Sequence, residues 1–188
     1  MNSSPYAKNL IFKVIENSNS TNWEDAVHEW DIVGWDEDTE IQSACICGKE
    51  NIRYLFTIKN KENGNVLEPI GSQCIKKFDR KELDEITAIY EDLFKLKNAL
   101  SNNRYISLSS EYFSRKLLKF FYEENVFVAS KYNNFNGKKD YKFMLDMFNK
   151  RDKNSITNPQ QRKINGIIIS QIIPFLEVQL DKDKTNKN

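Results

Sequence analysis

The sequence is poor in the residues that most often carry chemistry at neutral pH. Among 188 residues there is one histidine, His28, and only three cysteines. That excludes paired catalytic histidines and a framework of several disulfides. Glycine is scarce, with six in the chain, and none of them sits in a phosphate-cradling loop or a nucleophile elbow. Apolar runs such as Ile167-Ile168-Ile169 fall far short of a membrane span. Neither sign of charge dominates: 28 Lys and Arg against 27 Asp and Glu leave +1, which excludes a uniformly basic nucleic-acid binder. No basic-then-apolar leader opens the sequence, so the expectation is a cytoplasmic protein with no membrane partner. In a reducing cytoplasm three thiols are free, metal-bound or catalytic rather than paired.

What is present is a foldable chain. Apolar residues make up 39% and charged residues 29%, a globular rather than a disordered balance. The length suits one domain, or one domain with a small appended module. The periodicities predict an α+β fold, a small antiparallel sheet with a treble-clef-like zinc knuckle followed by a helical C-terminal half. Residues 1–78 are expected to hold N-terminal helices and the β-hairpin/zinc-knuckle module, 79–180 a helical region, and 181–188 a frayed tail.

Local signals place these pieces. Ser4-Pro5 starts a helix running to about Glu16, and Thr21 with Glu24 reads as a capping box for a short one through Glu29. Ile32 and Val33 begin strand-like text, and Ile41 to Ile46 reads as a further strand. Ile52, Tyr54, Phe56 and Ile58 alternate with Arg53, Leu55, Thr57 and Lys59, giving one apolar face. Asn63-Gly64 turns the chain into Val66 to Ile70, where Pro69 restricts the strand to an edge. Leu83, Ile86, Ile89, Tyr90, Leu93, Leu96 and Leu100 then recur at helical spacing. Ser109 or Ser110 is expected to cap the next helix. Tyr132 to Lys139 reads as a loop, Tyr141 to Lys150 as a helix, and Asn158-Pro159 starts the last, which Pro174 is expected to kink or end.

One constellation points to chemistry. Cys45-Ile46-Cys47-Gly48 precedes the hairpin, and Cys74 follows it at a helical start. A tight turn puts two thiols on one side, Gly48 lets the backbone curl around an ion, and a thiolate is favoured at a helix N-terminus. Knuckle, hairpin and helix-borne ligand is the order of a treble-clef-like zinc site, which takes four tetrahedral donors. Cys45, Cys47 and Cys74 are three. His28 is the candidate fourth, with Glu50 or a water as alternatives. The competing reading is three small buried thiols brought close by chance. No glutamate base accompanies His28 in the pattern of a zinc hydrolase or deaminase, so zinc is expected to be structural, and no catalytic residue is assigned.

Cys45-Ile46-Cys47-Gly48, the strand text Ile52 to Ile58, Asn60, Gly64, and Ile70-Gly71-Ser72-Gln73-Cys74-Ile75-Lys76-Lys77-Phe78 together resemble a zinc-knuckle module. It occurs in small accessory proteins of phages and prophages of low-GC Gram-positive bacteria. The resemblance covers residues 45–78. Related forms carry Cys-x-x-Cys with a His after the Gly, whereas this chain has one residue fewer between the cysteines and Lys49, Glu50 and Asn51 where that His would stand. The likeness implies a mobile-element accessory protein working in the cytoplasm of a bacterial host cell, and no particular activity.

Charge is unevenly placed. Thr21 to Glu40 holds Glu24, Asp25, Glu29, Asp31, Asp36, Glu37, Asp38 and Glu40 with no Lys or Arg, so the overall +1 leaves +9 on the remainder. An acidic block beside Trp23, Trp30 and Trp35 can mimic the phosphates and bases of a nucleic acid and steer onto a basic surface. Trp35, Asp36, Glu37, Asp38 and Glu40 are the candidate contact residues; a solvated acidic edge is the plainer alternative. Basic groups recur at Lys76, Lys77, Arg80, Arg115, Lys116 and Lys119, with further lysines and aromatics interleaved at Tyr132, Phe135 and Tyr141. The leading expectation is a non-enzymatic counter-defence protein that binds a host nucleic-acid-handling protein or nucleoprotein such as a defence nuclease, in its most concrete form an anti-CRISPR inhibitor of a Cas nuclease. The alternatives are a phage replication or recombination accessory protein that binds nucleic acid directly through the basic residues, and a small nuclease.

Overall fold

The structure, a computed structural model, describes residues 4–178 and is α+β. The tail expected from residue 181 lies outside the described residues. The chain divides into two compact units, Met1–Tyr90 and Glu91–Asn188. No described helix is long and apolar enough to cross a membrane.

In the N-terminal unit, α1 (Pro5–Glu16) begins where Ser4-Pro5 indicates. The Ser4 hydroxyl oxygen accepts the Ala7 N–H at 3.3 Å, and proline in the first turn brings no N–H of its own to satisfy. Leu10 and Val14, one turn apart, form its buried stripe. α2 (Trp23–Ala26) starts one residue beyond the Thr21 capping box, because Asn22 is the cap, its side-chain oxygen accepting the Asp25 N–H at 2.9 Å. The chain then tightens into a 3-10 turn over Val27–Glu29.

β1 (Trp30–Glu37), β2 (Tyr54–Asn60) and β3 (Val66–Gly71) form an antiparallel sheet in the order β1-β2-β3. The alternation in β2 sets the faces. Phe56 lies opposite Ile70, and Ile58 opposite both Ile32 and Leu67, so their side chains share the core with Trp30. Gly64, with φ of +79°, closes the hairpin, and Pro69 lies on the edge strand as its missing N–H requires.

Ile41 to Ile46 is not a strand. It keeps a single bridge, Ser43 with Ile52. The cause is Asp38, whose carboxylate accepts the N–H groups of Glu40, Ile41, Gln42 and Ser43 at 2.8–3.0 Å. Those donors are thereby withdrawn from any ladder, and Ile41 is held at φ 58°.

α3 (Ser72–Ile75) follows β3 directly, and α4 (Lys81–Ser101) is the long helix that the Leu83 to Leu100 stripe predicts. The division between the two units falls inside α4, beyond the residue-78 boundary expected from the sequence. In the C-terminal unit, α5 (Arg115–Glu123) is capped by Ser114, whose Oγ accepts the Leu117 N–H at 3.1 Å, rather than by Ser109 or Ser110. The Ser109 carbonyl instead closes a separate turn with the N–H groups of Tyr112 and Phe113. α6 (Gly137–Asn149) opens earlier than the Asn-rich text suggests, since Asn136 serves as its cap. α7 (Asn158–Ile167) carries a full capping box, Thr157 with Gln160. Pro174 does not end this last helix: a π turn over Ile168–Ile172 precedes it, and helix continues to Val178. A widened turn makes room for the proline ring and removes the need for its N–H. The core here is Leu117, Leu118, Phe121, Met144, Ile164, Ile172 and Leu176.

Candidate metal centre

The knuckle is fastened on three sides. Cys45 N–H donates to the Lys49 carbonyl and Gly48 N–H to the Cys45 carbonyl, both at 2.8 Å. Gly48 has φ of +88°, a conformation that a side chain would resist. Ile46 N–H donates to the Pro69 carbonyl at 2.9 Å, tying the knuckle to β3. From α1, the Asn9 side-chain amide donates to the Cys47 carbonyl at 3.2 Å. Cys74 arrives on α3, one turn after the hairpin ends.

These constraints bring three buried thiols together. The Sγ atoms of Cys45, Cys47 and Cys74 all lie within 4.8 Å of one another, and those of Cys45 and Cys74 are 3.6 Å apart. That separation is a thiol contact and far exceeds a disulfide bond. The Gly71 N–H points at Cys45 Sγ from 3.3 Å. The Cys74 thiol, outweighing burial and joined by the backbone N–H groups of Cys47 and Gly71, pulls the Cys45 thiol down to about 5. The hydrogen bond with Cys45, burial and the negative charge on Cys45 then push Cys74 well above the usual thiol range. One thiolate is therefore easily formed and a second is resisted, unless a cation lies among the sulfurs. Three buried, convergent, soft donors are the chemistry that Zn²⁺ selects, and the site fits that ion with three of its four ligands.

His28 does not join them. It is exposed on the 3-10 turn between buried Val27 and buried Glu29, and that alternation turns its ring outward. Among the described residues only the three cysteines form a cluster of metal-binding side chains, and Glu50 is exposed outside it. The cysteines border a pocket of about 130 Å³ whose other walls include Lys49, Asn51, Arg53, Tyr54 and Gln73. The side from which a fourth donor would approach thus opens onto polar residues.

The acidic block is not a single surface. Glu29 is buried, and its carboxylate accepts the N–H groups of Asn19 and Ser20 and the side-chain amide of Asn60 at 2.6–2.8 Å. Burial alone would raise this carboxyl, but hydrogen bonds from Ser20, Asn60 and Asn19 win and hold it at about 2. Asp31 pairs with Arg80 at 3.2 Å and Lys61 at 3.9 Å. Glu37 pairs with Arg53 at 2.6 Å. Asp38 organises the following loop, and the Ser43 hydroxyl with the loop N–H groups keeps it well below the usual carboxylate range. Of the candidate contact residues, Trp35 is 44% exposed with its ring stacked on Tyr90 at 3.8 Å. Asp36 lies beside it on β1, and Glu40 is exposed on the loop.

The candidate basic residues are also divided. Lys76 and Lys77 are exposed on a 3-10 turn of the N-terminal unit. Arg80 instead turns inward, donating to the Val27 and Trp30 carbonyls and to Asp31. In the C-terminal unit, Arg115 donates to Asn149 at 2.6 Å, and Lys119 pairs with Glu123 at 3.1 Å on the same helix as Lys116. The supporting roles of Asn9, Arg80 and the Glu29–Asn60 pair have no motif in the sequence. Each depends on chain segments more than thirty residues apart. No protein-family model, curated protein or solved structure matches the chain.

Proposed function

We propose that the chain is a non-enzymatic binding protein of a mobile genetic element, its N-terminal unit folded around a structural zinc ion held by Cys45, Cys47 and Cys74. The observation that carries the metal part of this reading is the convergence of three buried thiols on one point; the mobile-element part rests on the resemblance of residues 45–78 to a zinc-knuckle module. Zinc there supplies the charge that lets all three sulfurs ionise and so adds its binding energy to folding. The three cysteines hold it, the Gly71 N–H orients Cys45, and Asn9 and Pro69 keep the knuckle in place. The partner is a host nucleic-acid-handling protein or nucleoprotein, and in the most specific form of the reading a Cas nuclease of an antiviral defence.

The contact residues on this reading are the half-exposed Trp35, Asp36 beside it on β1, and Glu40 on the exposed loop that follows. A half-exposed tryptophan held rigidly by a stacked tyrosine is the kind of anchor that dominates interfaces. The test is cleavage by purified Cas nucleoproteins, with wild type, Trp35→Ala and Asp36→Lys added in turn and thermal melts as the folding control. Wild type is expected to inhibit and both variants to lose inhibition while remaining folded. No inhibition by wild type, or equal inhibition by all three, would defeat the reading.

A further inference from the structure

The segment joining α5 to α6 holds two aromatic rings in solvent. Tyr132 is 80% and Phe135 75% exposed, the highest values among the exposed large apolar side chains described. The hydrophobic effect opposes this, and so does the backbone. Asn134 and Phe135 have φ of 56° and 57°, a left-handed conformation that asparagine tolerates and a bulky aromatic resists.

A buried polar frame holds the loop in that shape. Asn133 is 2% exposed, and its side-chain oxygen accepts the N–H groups of Ser130 at 2.8 Å and Asn136 at 3.0 Å. Its amide donates to the Val128 carbonyl at 2.8 Å and to Asp140 at 2.7 Å. Asp140, also 2% exposed, pairs with Lys163 at 3.1 Å and accepts from Gln171 at 3.2 Å. At the base of the loop the Gly137 backbone lies so close to the Phe127 carbonyl that a Cβ would meet its oxygen at 1.9 Å. The two rings are therefore presented on a fixed scaffold, which lowers the entropy lost when something stacks on them.

Along this stretch of chain the exposed charge has one sign. From Val128 to Lys142 there are four exposed lysines, Lys131, Lys138, Lys139 and Lys142, and one carboxylate, the buried and ion-paired Asp140. Lys131 Nζ lies 5.1 Å from the Tyr132 ring centroid. Protein interfaces are depleted in lysine. Aromatic faces interleaved with ammonium groups suit a strand whose bases are free to stack and whose phosphates follow close behind. A duplex hides its base faces and meets only half of this chemistry.

We propose that this loop is a contact site for single-stranded nucleic acid, with Tyr132 and Phe135 stacking on bases and Lys131, Lys138 and Lys139 holding phosphates. It lies within the C-terminal unit and does not rest on the zinc site or on the partner proposed for the N-terminal unit.

The experiment is fluorescence anisotropy of the full chain with labelled oligothymidylate, oligouridylate and a duplex, each of about a dozen nucleotides, over a range of salt. At least one single strand is expected to bind, and the duplex to bind about tenfold or more weakly. Tyr132→Ala combined with Phe135→Ala is expected to lose about tenfold or more. Replacing Lys131, Lys138 and Lys139 by Gln should flatten the logarithmic salt dependence by about two. Phe135→Asn separates binding from folding: asparagine suits the left-handed backbone, so thermal stability should rise while affinity falls. Absence of binding to both single strands at low salt, equal affinity for the duplex, or unchanged affinity in the ring variants at intact folding would overturn the proposal. So would a protein partner captured through these rings in a chain that binds neither oligonucleotide.

Discussion

In the N-terminal unit Cys45 meets Cys74 across 29 residues of chain, whereas in the C-terminal unit Asn133 meets Asp140 across seven. Both clusters are buried polar groups that must be satisfied to be tolerated. In the second, Asp140 Oδ2 accepts from Asn133 and Gln171, while Oδ1, without a hydrogen-bond partner among the described residues, is compensated by the Lys163 ammonium at 3.1 Å. The first is three sulfurs that satisfy one another poorly once more than one is ionised. The two do not differ in reach, since Asp140 also meets Gln171 across 31 residues; they differ in the groups brought together. The comparison teaches that the two units bury different chemistry: amide, carboxylate and ammonium groups complete one another in the C-terminal network, while the three thiols of the small sheet unit form a donor set that fits an ion.

The largest expected effect comes from breaking the thiol cluster. Cys74→Ser should abolish zinc binding and destabilise the N-terminal unit by about 3 kcal/mol or more. Trp23, Trp30 and Trp35 all lie in this unit, so tryptophan emission during a thermal melt reports on it directly. A wild-type melt for Cys74→Ser would erase the contrast between the units. Next comes Asp140→Ala, which strips Asn133, Gln171 and Lys163 of their shared acceptor and is expected to cost about 3 kcal/mol. Asp140→Asn, which keeps an acceptor, should cost less. Far-UV circular dichroism of the melt measures both, and indifference to either change would show that the network is not what holds the C-terminal unit.

A smaller effect separates the carboxylates of the acidic block. Asp38→Ala should speed hydrogen exchange at the amides of Glu40, Ile41, Gln42 and Ser43, while Asp36→Ala leaves them unchanged. Equal exchange in the two variants would count against Asp38 as the organiser of that loop. The smallest effect is a pH dependence. Glu29 lies at about 2 in the folded chain against an ordinary 4.5, so the unfolded chain binds the extra proton. The stability it confers is complete above 4.5 and is lost as pH falls toward 2. Wild type should therefore lose stability through that window more steeply than Glu29→Gln, and parallel pH profiles would assign the buried carboxylate no such role.

Much of the fold was legible because its signals are local. The period-two alternation of β2, the Ser4-Pro5 start and the helical stripe of α4 each depend on neighbours a few residues away. The Ile41 to Ile46 segment misled because its apolar text says nothing of an aspartate that takes the donors a strand would need. The same limit applies to the sites. Spacing and order point to the three cysteines, but the outward turn of His28 follows from the burial of Val27 and Glu29 on either side of it. Counting charges groups eight carboxylates as one block. Only their partners, Asn60, Arg53 and Arg80 among them, reveal that Glu29 and Glu37 face inward and that Asp31 is ion-paired. Tyr132 and Phe135 read as loop residues in the sequence, and the frame that fixes them needs Lys163 and Gln171 from a distant helix.

The most direct test of the proposed zinc site in the N-terminal unit is the zinc content of the purified chain, followed by treatment with a chelator while tryptophan emission is recorded. The expected result is one zinc per chain, protection of Cys45, Cys47 and Cys74 from alkylation until the metal is withdrawn, and a red shift as the buried Trp30 reaches water. A chain that carries no zinc, takes none up, and keeps its tryptophan emission while all three thiols are freely alkylated would contradict it.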